Sequence, residues 1–97
     1  MEGSTEGMKA CSAVVFGQVQ GVGYRYSALR AASKLHVNGW VRNNRDGSVE
    51  IECEGAEKDV DEFIVWLRKG PPYARVTAVN VSGKPYRGIY SGFSIEY

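Results

Sequence analysis

Two short stretches of the chain carry residues whose types and spacing could do chemistry. The first, Gly17-Gln18-Val19-Gln20-Gly21-Val22-Gly23-Tyr24-Arg25, places three glycines within seven residues, between a β-rich run and a helix-like one. Glycines let the backbone turn several N–H groups toward one point, and such a nest, completed by a helix N-terminus, receives an anion. Arg25 adds a planar fork of donors that matches the oxygens of a phosphate or carboxylate. Its positive charge in the first turn of a helix opposes the macrodipole, an unfavourable placement that a bound anion would complete. The second stretch, Gly39-Trp40-Val41-Arg42-Asn43, ends in an asparagine. Taken alone, Asn43 is a strand-end or turn residue; its carboxamide can orient a water but has no useful basicity.

The groups missing from the glycine loop narrow the reaction. No Ser or Cys stands where a phosphate-bound nucleophile would be wanted, and no Gly-Lys-Ser/Thr ending makes the loop a Walker nucleotide site. The single His36 and the scattered acidic residues form no metal-ligand pattern, so neither metal nor cofactor is expected. Water would then attack directly and pass its proton to a phosphate oxygen. With no general acid, the leaving group must depart unaided, which suits a carboxylate, whose parent acid has a pKa of about 4. An alkoxide does not qualify. The residues thus point to a mixed carboxylic–phosphoric anhydride.

The elements that must position these groups follow from periodicity. Lys9 to Phe16 reads as a strand, with Cys11, Ala13 and Val15 on one face and Val14 and Phe16 on the other. Tyr24 to Leu35 reads as a helix with Ala28, Leu29, Ala32 and Leu35 at helical spacing. Val37–Asn44 and Ser48–Glu54 are strands joined through Arg45-Asp46-Gly47-Ser48, an Asp-Gly hairpin turn. Glu57 to Lys69 carries Val60, Phe63, Ile64 and Leu67 on one helical stripe, acids in its first half and bases in its last turn, and Gly70-Pro71-Pro72 stops it. Ala74–Ser82 is a strand whose imperfect alternation suggests a bulge, and Gly92–Tyr97 a short final one. The order β-α-β-β-α-β predicts an α+β, ferredoxin-like sandwich, an antiparallel sheet with two helices on one face. In that topology strands 1 and 2 run parallel with strand 3 between them, so the glycine loop and Asn43 share one sheet edge. Two strand spacings, about 9.5 Å, leave room for a phosphate and an attacking water.

Bulk properties bound the alternatives. The 97 residues suffice for one small domain, here 9–97 after an expected flexible leader over 1–8. A formal net charge of +1 argues against a broad nucleic-acid surface, and no apolar run could span a bilayer. A cytoplasmic monomer is expected, with no membrane partner. Cys11 and Cys53 lack metal-ligand or CxxC spacing; they read as reduced core thiols, with a cross-strand disulfide as the alternative. Glu50, Glu52 and Glu54 read as a solvated stripe, and Trp40, Phe63, Trp66 and Phe93 as packing residues.

Both stretches, together with Asp46-Gly47-Ser48-Val49-Glu50 and the tail Tyr90-Ser91-Gly92-Phe93-Ser94-Ile95-Glu96-Tyr97, resemble the signature blocks of acylphosphatases, in order, from about Lys9 to Tyr97. The resemblance implies hydrolysis of a small-molecule acyl phosphate to a carboxylate and inorganic phosphate, without cofactor. It implies a backbone phosphate cradle from Gly17 to Gly23, that is Gly17, Gln18, Val19, Gln20, Gly21, Val22 and Gly23. Arg25 matches the family's phosphate-binding arginine and Asn43 its water-positioning asparagine. Tyr24 stands where the family often has Phe, and His36 where many members have glycine before strand 2, a departure that bears on how the helix ends. A non-catalytic ferredoxin-like module binding an anion or metabolite is the alternative of a different class. A third is a domain like the acylphosphatase-like part of hydrogenase maturation factors, whose zinc motifs this sequence does not contain.

Overall fold

A computed structural model describes residues 7–97, so most of the expected leader lies outside the described residues. The chain forms β1 (Met8–Gln18), α1 (Tyr24–Lys34), β2 (Asn38–Asn43), β3 (Val49–Ala56), α2 (Glu57–Lys69), β4 (Arg75–Lys84) and β5 (Phe93–Ile95). The sheet order is β4-β1-β3-β2-β5. Pairing of β1 with β3, β3 with β2 and β1 with β4 is antiparallel, as expected, whereas β5 adds to β2 in parallel and makes the sheet mixed.

Alternation decides which face is dry. Cys11, Ala13 and Val15 of β1, Val41 of β2 and Val49, Ile51 and Cys53 of β3 are buried in one core with Tyr24, Ala28 and Ala32 of α1 and Val60, Phe63 and Leu67 of α2. Both helices therefore cover the same sheet face. The alanines of α1, four apart, keep that helix close to the sheet, while α2 brings the bulk: Phe63 meets Phe93 edge-on at 5.6 Å and stacks with Trp66 at 6.2 Å. Acidic Glu57 and Asp59 open α2 and Arg68 and Lys69 close it, complementing its dipole.

The expected bulge lies in β4. Phe16 faces Ala78 but Gly17 faces Val76, so Thr77 is the extra residue. Gly17 is there for closeness: a Cβ would come within 2.0 Å of the Arg75 carbonyl oxygen. At the end of α1, His36 adopts φ 60°, Val37 N–H donates to Ala32 O at 2.8 Å and His36 N–H to Ser33 O at 3.3 Å. That is a Schellman closure with histidine at the position glycine usually takes, so the departure at His36 leaves the helix end intact.

Cys11 and Cys53 sit directly opposite one another in the β1–β3 register, with their sulfurs 3.3 Å apart and both thiols free. The contact with Cys11, together with burial, pushes the Cys53 thiol up and keeps it protonated. The Glu50–Glu52–Glu54 stripe is not uniformly solvated. Glu50 and Glu52 pair with Arg42 and Lys84, but Glu54 is only 3% exposed and its carboxylate accepts the Gly88 and Tyr90 N–H groups at 3.2 Å each. It thereby holds the segment leading into β5.

Candidate active site

The glycine loop connects β1 to α1, and its own apolar residues fix it. Val19 is 1% exposed in the core and Val22 packs against it, while Gly21 and Gly23 stay exposed. Gly23 is the N-cap of α1 with φ 80°, a conformation that costs other residues about 1–2 kcal/mol. Having no side chain, it also leaves the first turn of α1 without a side-chain cap, and no acidic residue occupies that turn. A Cβ at Gly21 or Gly23 would meet nothing within 4 Å. These positions border open space, at the positive end of a helix dipole.

A cavity of about 220 Å³ occupies that space, lined by Val19, Gly21, Gly23, Tyr24, Arg25, Tyr26, Asn43, Ile95 and Tyr97. Loop, first helical turn, end of β2 and end of β5 thus converge. Of the residues singled out from the sequence, Val19, Gly21, Gly23, Arg25 and Asn43 are brought together here. Gly17 and Gln18 belong to β1, where they pair with Val76 and Arg75, and neither they, Gln20 nor Val22 line the cavity. Among the described residues no carboxylate pairs with Arg25; its guanidinium lies over the Tyr97 ring, 5.2 Å from the centroid. Asn43 closes β2 opposite Val49, and its carboxamide oxygen is buried with no hydrogen-bond partner among the described residues. A buried acceptor left unpaired calls for a donor from outside the chain.

The hairpin that carries Asn43 is braced by its turn. Asp46 accepts from the Ser48 N–H at 2.9 Å and the Ser48 hydroxyl at 2.5 Å, while Asn44 Nδ2 donates to Ser48 Oγ at 3.1 Å. Those donors hold the Asp46 carboxyl below its usual range. On the other flank the Tyr24 hydroxyl donates to the Leu67 carbonyl at 2.7 Å, tying the start of α1 to the end of α2, and burial pushes the phenol up. The residue that departs from Phe is therefore a structural tie. Among the described residues no three His, Cys, Asp or Glu side chains gather where a metal ion could be held.

A larger groove, about 1020 Å³, runs between α1 and the α2–β4 turn. It is lined by Arg30, Lys34 and Lys69 but has neither the glycine loop nor the unpaired carboxamide, so its size does not make it the site.

The comparison with known proteins decides the family. The family model described as Acylphosphatase matches residues 11–95, most of the chain. The chain belongs to the acylphosphatase family. It is an enzyme of that family by the breadth of the likeness. An acylphosphatase of Methylococcus capsulatus (strain Bath) is 47% identical over 88 residues, 91% of this chain and 96% of that one. The structure of an acylphosphatase from Coxiella burnetii superposes with a TM-score of 0.91 at 32% identity, covering 99% of this chain and 100% of the other. The crystal structure of the Bacillus subtilis acylphosphatase gives 0.88 at 37% identity, covering 92% and 99%.

Three residues that line the cavity were not singled out from the sequence: Tyr26, in the first turn of α1, and Ile95 and Tyr97 at the C-terminal end. Ile95 and Tyr97 reach the cavity only because β5 pairs in parallel with β2, Val41 facing Ile95. A parallel neighbour reached through a long connection leaves no local turn signal. The signal that was present is the tail block itself, whose aromatic and aliphatic residues alternate without a hairpin partner.

Proposed function

We propose that the protein hydrolyses acyl phosphates to a carboxylate and inorganic phosphate by direct attack of water on phosphorus, without a metal or cofactor. In this reading the loop N–H groups, the uncapped first turn of α1 and the Arg25 guanidinium hold the phosphoryl oxygens. The Asn43 carboxamide oxygen accepts a hydrogen bond from water and turns its lone pair toward phosphorus. The new P–O bond forms as the bond to the acyl oxygen breaks. The water proton passes to a phosphate oxygen, and the carboxylate leaves without protonation because its parent acid has a pKa of about 4.

The observation that carries this is the meeting of an anion-ready helix start with a buried, unpartnered carboxamide oxygen in one cavity. A monomeric enzyme is part of the proposal, and no helix among the described residues is long and apolar enough to cross a membrane. A cytoplasmic setting is part of the same proposal. Hydrolysis of benzoyl phosphate, followed by absorbance with and without chelator, tests it. Turnover unaffected by chelator is expected. No rate above buffer from folded protein would favour a binding module instead, and a chelator loss reversed by added metal would defeat the metal-free route.

A further inference from the structure

The two halves of the site are joined by a side chain as well as by the sheet. β3 lies between β1, from which the glycine loop departs, and β2, which ends at Asn43. Gln20 crosses that gap. Its Nε2 donates to the Asn44 carbonyl at 2.7 Å and to the Ser48 carbonyl at 2.8 Å, so both amide hydrogens are spent on the hairpin. The same Ser48 carbonyl accepts the Asn44 N–H at 2.9 Å, and the Asn44 carbonyl accepts the Gly47 N–H at 3.2 Å. Gln20 therefore grips the two carbonyls at the mouth of the turn, one of them belonging to the residue directly after Asn43. Its side chain is half-buried, partly shielded from competing water.

We propose that Gln20 is a positioning residue: its amide sets the separation between a phosphoryl group held by the loop and the carboxamide of Asn43. This rests on the role proposed for Asn43 and adds how that role is enforced. Arg25 and the first-turn amides belong to α1, which Gly23 caps and the core holds, and not to the hairpin, so phosphate affinity should be nearly indifferent to Gln20. Turnover should not be, since a misplacement of about 1 Å between reacting groups can cost on the order of 100-fold. The side chain thus divides kcat from phosphate binding, which general loosening of the fold would not do.

The test is a double-mutant cycle on benzoyl phosphate hydrolysis, with inorganic phosphate as competitive inhibitor. Gln20→Met keeps the length and removes both donors. Its kcat is expected to fall about tenfold or more, with phosphate inhibition within about twofold of wild type, a separation that follows from the geometry above. In the Asn43→Ala background the same change should cost almost nothing further, because the group being positioned is gone. Equal losses in both backgrounds overturn the proposal alone. Wild-type kcat in Asn43→Ala removes the reading beneath it, and the proposal with it. Should Gln20→Met not fold, Gln20→Glu supplies the second reading. At neutral pH its carboxylate faces two carbonyls and kcat should be low; as pH falls and the acid gains an O–H donor, kcat relative to wild type should rise. A ratio flat with pH would overturn the proposal.

Discussion

The loop side and the hairpin side of the cavity are built by opposite means. On the loop side the proposed working groups are main-chain amides joined by the Arg25 guanidinium, and the loop is fixed by Val19 in the core and Gly23 bare at the helix N-cap. On the hairpin side the proposed working group is a side chain, Asn43, and the backbone around it is fixed by Asp46, Ser48 and Gln20. The loop side offers positive potential and many donors, suited to gripping a charge. The hairpin side offers one unpaired acceptor, suited to aiming a neutral molecule. Binding and turnover should therefore separate between the two when residues are changed one at a time.

The largest effect should come from the loop side. Arg25→Ala, and even Arg25→Lys, should lower kcat/KM for benzoyl phosphate by about 100- to 1000-fold, the usual consequence of losing a donor aimed at developing charge. An ammonium cannot replace a bidentate fork. Phosphate inhibition should weaken in parallel, and wild-type kinetics in Arg25→Lys would place the anion elsewhere. Asn43→Ala should come next, with kcat down by about 100-fold and the phosphate inhibition constant little changed. Parallel loss of both would erase the distinction between the two sides.

Gly23→Ala sharpens the comparison, because it strains the loop without touching the hairpin. A side chain at φ 80° costs about 1–2 kcal/mol, which a urea titration would register together with weaker phosphate inhibition. Unchanged phosphate inhibition would detach this turn from anion binding. Gly17→Ala makes the useful contrast, since its Cβ would strike the Arg75 carbonyl and damage β1–β4 packing instead of the cavity.

The smallest effect concerns the hairpin brace. The folded Asp46 carboxyl is held low by the Ser48 hydroxyl and N–H, so its contribution is present above the unfolded carboxylate pKa of about 3.9 and is lost as pH falls through the folded value. Asp46→Asn should flatten that acid limb in stability measurements against pH. An unaltered limb would take Asp46 out of the brace.

Where chemistry depended on neighbours in sequence, it was legible. The stripe Val60-Phe63-Ile64-Leu67 set α2 to the residue, and Asp46-Gly47 marked the hairpin, because helix and turn are written at short range. The split-βαβ order then brought loop and Asn43 to one edge. What the sequence did not disclose is long-range and specific to side chains. Nothing near Gln20 indicates that its amide reaches Asn44 and Ser48, and nothing in Glu50-Ile51-Glu52-Cys53-Glu54 shows that the third acid would be covered while its neighbours stay at the surface. The parallel docking of β5, which brings Tyr97 beneath Arg25, is likewise a tertiary decision.

A crystal structure with inorganic phosphate bound tests the central claim most directly. Phosphate oxygens should lie on the loop and first-turn N–H groups and on the Arg25 guanidinium, with a water between the anion and the Asn43 carboxamide oxygen. Phosphate seated instead among Arg30, Lys34 and Lys69 in the groove between the helices, with the smaller cavity empty, would contradict it.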